Sequence, residues 1–412
     1  MRAFSFVALA ALATAPSAGV AASGEVAAPL SPGAFAPALT EATDVVVFPA
    51  ARRPGPRPTV TVATRVHGSP NAVGAALLDP NRYRAALPSL VRAAVVDARV
   101  SAVHPDFPLE RLLAWELEIP LFNLKGKAWL SRQRDLIELT LVEGAFAPGR
   151  VRFRVAPADG TGQTTVLVTE AQVEARSANW IFRRVARHDP WAETAMTAAA
   201  AWVLARAVAL EVEVPHDAAH GPARPDVPIA APAATALDGA PLAGAAFADL
   251  RKAGLVTTVR RTARGRLAYV SAAVPIAATP ADVAGRVSAP ESWAAFPGWK
   301  SVKRLPSVTG DVRIAVEDNV AFVDLDATWR IAYTPSARAT VIEGATRGAA
   351  LAWQAFPDPA HATSALAVLS EHPRLDASGY VARKMIETEP LMEHALALAL
   401  TYADAAALAD RF

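Results

Sequence analysis

Over much of the chain, apolar and polar residues alternate with the period of two that marks a half-buried strand. In Leu136 to Glu143, Ile137, Leu139 and Leu141 fall on one face, with Glu138 and Thr140 on the other. In Leu113 to Leu121, Trp115, Leu117 and Ile119 oppose Glu116 and Glu118. The same pattern predicts strands at Thr59 to Val66, Leu90 to Ser101, Gly126 to Gln133, Arg150 to Val155 and Thr164 to Val173, with Ala156 to Gly162 as a hairpin connection. A second series covers Leu267 to Ile276, Val302 to Leu305, Val312 to Val316, Val320 to Asp326, Trp329 to Thr334, Ala339 to Gly344, Ala349 to Phe356 and Ser364 to Ser370. Helices interrupt both series at corresponding places. Ser69 and Thr279 can each accept from exposed backbone N–H groups, and Pro70 and Pro280 suit a first helical turn. A second short helix starts at Asp79-Pro80 and ends before Pro88. Each series then closes with a short helical piece and a long Ala-rich helix, from Asp189-Pro190 to about Glu211 and from Glu389-Pro390 to the C-terminus.

This symmetry extends to individual residues. Ser69-Pro70-Asn71-Ala72-Val73 matches Thr279-Pro280-Ala281-Asp282-Val283, and the shift of 210 positions persists through Pro80/Pro290 and Tyr83/Trp293. A second block matches at a shift of 200: Trp180 with Tyr380, Arg183 with Arg383, Arg184 with Lys384, Pro190 with Pro390 and Glu193 with Glu393. Matched aromatics and charges at fixed spacing point to an internal repeat with a shorter middle in the second copy.

Strand, two small helices, antiparallel sheet, then one long helix is an order that resembles the START-like superfamily of polyketide cyclase/dehydrase and lipid transport proteins, and within it the coenzyme Q-binding branch. The residues carrying the likeness are Ser69-Pro70-x-x-Val73 through Asp79-Pro80-x-x-Tyr83-x-x-x-Leu87-Pro88, and the block from Trp180 to Glu193. The likeness covers most of Pro58 to Glu211 and is weaker from Phe247 to Phe412, where Ala289 replaces the Asp before Pro290. It implies an α+β fold of tandem helix-grip domains. Each would be a curved antiparallel sheet wrapped on a long C-terminal helix, with an apolar cavity between them. The expected division is a signal peptide at 1–22, a low-order segment at 23–57, domain one at 58–212, a Pro/Ala-rich linker at 213–244 and domain two at 245–412.

Composition narrows the function classes. Of the 412 residues 52% are hydrophobic and 19% charged, so the chain is a folded protein rather than a disordered one. A net charge of +2 gives no electrostatic reason to expect a nucleic acid partner. The absence of cysteine removes disulfides, thiol catalysis and cysteine zinc sites. Arg2, the apolar run Ala3 to Ala13, and small residues up to Ser23 read as an export signal cleaved after Ala18 or Ala22, placing the protein in a periplasm or outside the cell. No later stretch reads as a membrane span.

Small side chains at Ala195, Ala198, Ala199 and Ala205 leave room between helix and sheet, which favours an apolar ligand cavity. Its expected lining in copy one is Tyr83, Trp115, Ile119, Phe122, Trp129, Ile137, Leu139 and Met196. In copy two it is Trp293, Phe322, Trp329, Ile331, Trp353, Met392 and Leu396. Because side chains alternate in a strand, a slip of one residue inverts such assignments. The segments Trp180 to Arg184 and Tyr380 to Lys384 mix aromatic, apolar and basic residues, as an amphipathic helix with a solvated face does and as a lip docking on an anionic membrane would. His216 and His220 lie in the linker without an evident third ligand, and no metal or cofactor site is expected. The leading expectation is an exported carrier of an apolar small molecule such as a lipid, isoprenoid quinone or polyketide. Its rivals are a cyclase-type enzyme, with Glu116, Glu118, Glu138 and Asp324 as ionisable candidates, and a scaffold with collapsed cavities.

Overall fold

The computed structural model describes residues 30–49, 57–100, 109–120, 122–133, 135–214, 236–295, 299–306, 312–320, 323–324, 326–332, 337–344, 346–359, 363–378 and 380–412. The first half runs α1 (Pro32–Phe35), β1 (Thr43–Pro49), β2 (Val60–His67), α2 (Pro70–Leu78), α3 (Tyr83–Ala86), β3 (Leu90–Val100), β4 (Leu109–Ile119), β5 (Phe122–Gln133), β6 (Leu136–Gly144), β7 (Phe146–Pro157), β8 (Thr164–Glu174), α4 (Trp180–His188) and α5 (Ala192–Glu213). The second runs α6 (Ala240–Ala243), α7 (Ala248–Ala253), β9 (Gly254–Arg261), β10 (Leu267–Ile276), α8 (Pro280–Val287), a 3₁₀ turn (Pro290–Ala295), β11 (Trp299–Leu305), β12 (Val312–Val320), β13 (Val323–Asp324), β14 (Ala327–Ala332), β15 (Ala337–Gly344), β16 (Ala350–Pro357), β17 (Ala365–His372), α9 (Tyr380–Thr388) and α10 (Leu391–Ala409). The protein is thus α+β, a large antiparallel sheet with helices.

Two strands lie where the alternation pattern predicts none. β1 falls inside the segment 23–57 expected to lack order, and β9 precedes the strand expected to open the second half. Val45, Val46, Val47 and Phe48 are all buried, so β1 has no polar face for a period-two search to detect. β1 pairs with β2 on one side and with β9 on the other, from Thr43↔Arg260 to Pro49↔Gly254. β9 continues onto β10 and β10 onto β17. One continuous antiparallel sheet therefore runs β3-β4-β5-β6-β7-β8-β2-β1-β9-β10-β17-β16-β15-β14-β12-β11 through both halves. The pairing satisfies two rows of backbone donors and acceptors that would otherwise be open edges. Where one strand was expected from Val320 to Asp326, Val320 instead pairs back onto Val323 and Asn319 onto Asp324. Within the expected linker, Leu237 and Leu242 are buried and the Gly239 N–H donates to Gln354 Oε1 at 2.7 Å, so residues 236–244 are anchored to the sheet.

The sheet junction is covered on both faces. Val45 and Val47 meet Phe35, Leu39, Phe247 and Leu250 on one side. Val46 and Phe48 meet α5 and α10 on the other, with the Phe48 ring stacked on Tyr402 at 3.8 Å between centroids. α5 is long and apolar enough by composition to cross a membrane, against the sequence expectation; 61% of its most apolar stretch is buried in protein. Asp44 shares the inner face of β1 and is fully buried. It accepts hydrogen bonds from Thr64 Oγ1 and from Trp202 Nε1 at 3.1 Å, and pairs with Arg261 at 3.4 Å. His394 stacks on Trp202 at 5.1 Å. Burial first, and then Arg261, Arg206 and Arg266, push its pKa down to about 3, so it is a neutral core residue.

Local contacts recur at the spacings read in the sequence. The Ala72 N–H donates to Ser69 Oγ at 3.2 Å, and the Asp282 N–H to Thr279 Oγ1 at 3.2 Å. The Tyr83 hydroxyl donates to the Leu77 carbonyl at 3.1 Å, and Trp293 Nε1 to the Val287 carbonyl at 2.9 Å. Gly144 and Gly344 both take positive φ, 85° and 106°, at the same hairpin corner. A Cβ at either would collide with a backbone carbonyl oxygen, that of Lys125 or Asp326, so both positions require glycine.

Candidate ligand cavity

Residues three and four apart share a helix face. In α5 that rule brings Met196, Ala199, Ala200, Val203 and Leu204 to one side; in α10 it brings Met392, Ala395, Leu396 and Ala399. Both stripes face the inner surface of the first half's sheet and enclose a cavity of about 310 Å³. The walls are Leu113, Trp115, Leu117 and Ile119 of β4, Leu124 and Ala128 of β5, and Leu139 and Leu141 of β6. Tyr83 and Leu87 close one side, and Phe146 and Phe182 another. Alanines on both helices leave the space that larger side chains would occupy. Gly126 contributes too: a Cβ there would lie 2.8 Å from Trp115 Cζ2, so its absence lets the indole lie close against β5. The volume sits at the lower end of the roughly 300–1,000 Å³ typical of small-molecule sites.

The structure brings together Tyr83, Trp115, Ile119, Leu139 and Met196 as expected, with Ile137 buried in the adjoining core. The Phe122 side chain and all of Phe322 lie outside the described residues. Trp129 is a correction. Leu124, Ala128 and Leu130 are buried on one face of β5, so Trp129 projects to the outer face, where the Arg99 guanidinium sits 4.0 Å over its ring. Met392 and Leu396 are a second correction: both line the first half's cavity, because the first part of α10 reaches beneath the other half's sheet. Trp293, Ile331 and Trp353 are buried in a separate core. Half-buried Trp329 packs there on Trp299 at 5.8 Å, and Trp299 meets Trp293 at 6.4 Å. Tryptophan occupies in the second half the kind of space that alanine leaves open in the first.

Glu116, Glu118 and Glu138 stay out of the cavity. Glu138 accepts from Arg152 Nε at 2.7 Å on the outer face; Glu118 is exposed, and Glu116 shares its side of β4. The Asp324 side chain and the pair His216 and His220 lie outside the described residues. The polar groups at the cavity wall are instead Tyr83, Ser89 and Glu389. The Tyr83 hydroxyl is committed to the Leu77 carbonyl, and burial pushes its pKa up. Glu389, 2% exposed, stands in the turn between α9 and α10. Its Oε2 accepts from Ser89 Oγ at 2.9 Å and from the Ser89 N–H at 3.3 Å; its Oε1 accepts from the Leu391 N–H at 3.4 Å. Burial raises its pKa against the opposing effect of these donors. The sequence carried one signal for this residue: Asp189, its counterpart, occupies the same pre-proline turn and accepts from the Trp191 N–H at 2.8 Å.

The two aromatic–basic segments flank this cavity. On α4, Trp180 is 58% exposed and Arg183 and Arg184 face solvent, while Phe182 lines the cavity edge-on to Phe146 at 5.9 Å. On α9, Tyr380 is 66% exposed, while Met385 packs against the cluster of Ile119, Leu124 and Ala145.

No family model and no curated protein matches the chain. Among solved structures it is similar to a START superfamily protein from Mycobacterium smegmatis, at 19% identity over 28% of this chain and 76% of that one, with a TM-score of 0.24. It is similar to the lipid transfer and protein localization domain of human StarD13, at 13% identity over 43% and 87%, with a TM-score of 0.31. It is also similar to the di-domain ARO/CYC StfQ from the steffimycin biosynthetic pathway, at 11% identity over 84% and 98%, with a TM-score of 0.27. Two short helices follow a strand, an antiparallel sheet follows them, and a long helix closes over its inner face, which is the order of elements that the sequence likeness to START-like proteins implies.

Proposed function

We propose that this protein is a non-catalytic binding or transport protein for an apolar small molecule, built from two divergent copies of one helix-grip unit of which the first holds the ligand. The observation that carries this reading is the apolar cavity of about 310 Å³ walled by the first half's sheet and by helices from both halves. Its size suits a single-chain or compact ring ligand better than a two-chain lipid. A cyclase-type enzyme would need ionisable groups converging on the substrate. Among the described residues Glu389 is the only carboxylate at the wall. The signal-like N-terminus supports placement outside the cytoplasm. Exposed Trp180 and Tyr380 beside basic residues support docking of the cavity mouth on an anionic membrane. Native mass spectrometry of the intact chain after bacterial expression, followed by organic extraction, tests the main proposal. A stoichiometric apolar compound is expected. A bare mass, together with no thermal shift across a panel of quinones, sterols and fatty alcohols, would overturn it. Sedimentation with phosphatidylglycerol but not phosphatidylcholine vesicles, weakened by Trp180→Ala, tests the docking surface.

A further inference from the structure

The cavity wall is apolar except at one place, and that place is assembled from residues 300 positions apart. Ser89 stands in the turn just before β3 of the first half; Glu389 precedes the last helix of the second. Asp189, the matching residue of the first half, spends its shorter side chain on its own helix start. Glu389, one methylene longer, makes the same local contact only at 3.4 Å and reaches across to Ser89. A carboxyl group offers about four acceptor positions, or one donor and fewer acceptors when protonated. The contacts of Glu389 leave part of that capacity unused, and it lies at the cavity wall. The groups that act on its ionisation are its own burial and the donors of Ser89 and Leu391.

We infer that Glu389 and Ser89 form the polar anchor of the cavity, and that the ligand is an uncharged, mostly hydrocarbon molecule ending in one oxygen function, a ketone or an alcohol. The inference rests on the cavity reading and adds the ligand's chemistry. A ketone oxygen accepts from the protonated carboxyl; a hydroxyl donates to either form. The Tyr83 hydroxyl is committed to the Leu77 carbonyl, and a ligand oxygen against the aliphatic wall would lose its water partners without replacement, which is costly. An anionic headgroup would enter an apolar wall with no Lys or Arg among the lining residues to offset its charge.

The test uses the intact chain and displacement of N-phenyl-1-naphthylamine, a neutral apolar dye, by octane, octan-1-ol, octan-2-one and octanoate at pH 7. Octane is the most hydrophobic of the four, so burial alone ranks it first. The anchor predicts that octan-1-ol and octan-2-one compete about tenfold better than octane, as one well-placed hydrogen bond allows. Glu389→Ala should bring all three to the same level relative to one another. Glu389→Gln keeps a donor and an acceptor at the same place, so it should retain the preference for octan-1-ol and octan-2-one over octane, with octanoate still the weakest competitor. Ser89→Ala, a smaller change that preserves the helix turn, should weaken the preference if Glu389→Ala does not fold. Dye binding without discrimination among the probes, or discrimination untouched by all three variants, overturns the anchor and leaves the cavity standing. No binding of dye or probe overturns the cavity reading and the anchor with it.

Discussion

The space between α5 and the sheet can be tested by the sign of one mutation. Ala199 is half-buried and lines the cavity, whereas Ala198, one residue earlier on the same helix, is fully buried in packed core. Replacing alanine by leucine adds three carbons. If they enter empty apolar space, burial at about 0.8 kcal/mol per carbon contributes up to about 2.4 kcal/mol. Restricting the leucine rotamers costs roughly 0.5–1 kcal/mol. Ala199→Leu should therefore stabilise the protein by about 1–2 kcal/mol and weaken binding of N-phenyl-1-naphthylamine. Ala198→Leu must push into filled space and should destabilise by about 1–3 kcal/mol. Both values come from urea unfolding, read as midpoint shifts at constant slope. If Ala199→Leu destabilises as much as Ala198→Leu, the cavity is closed in solution and the reasoning from alanine spacing fails.

Burial in the β17–α10 interface pushes the Glu371 pKa up to about 7 from its ordinary 4.5, opposed by the Thr401 and Asp404 side chains. A carboxyl whose folded pKa is raised favours folding most while protonated, so stability should decline by about 3 kcal/mol as pH rises from about 4.5 to 7. In Glu371→Gln that part of the decline should vanish when unfolding free energies are compared at pH 4.5 and 8; an unchanged pH dependence would refute the assignment. Asp44→Ala leaves Arg261 buried without its partner and should cost about 3–5 kcal/mol in urea unfolding. A loss under 1 kcal/mol would show that the Arg261 charge is satisfied elsewhere. Gly144→Ala places a Cβ against the Lys125 carbonyl at φ 85° and should cost about 1–3 kcal/mol, by the same assay.

Strands with an alternating pattern were legible: the segment expected at Leu136 to Glu143 is β6, which runs one residue further, and Trp115 and Leu139 lie at the cavity wall on the faces their alternation gave. Trp129 was misplaced because Gly126 and Ala128 give a weak apolar signal on the true inner face, and the large indole outweighed it. β1 was missed for the opposite reason, since burial on both faces erases the period. Glu389 was passed over because nothing local distinguishes a helix-start carboxylate from one that also meets Ser89.

By itself, the sequence determined the period of each element, the caps that start the helices and the repeat spacing that aligns Tyr83 with Trp293. These depend on backbone geometry and on neighbours within a few residues. Only the tertiary structure decided that β1 joins β9, that Met392 and Leu396 serve the other half's cavity, and that Ser89 meets Glu389. A helix face records which residues point together; it does not record which sheet lies opposite, because that is chosen by the packing of the whole chain.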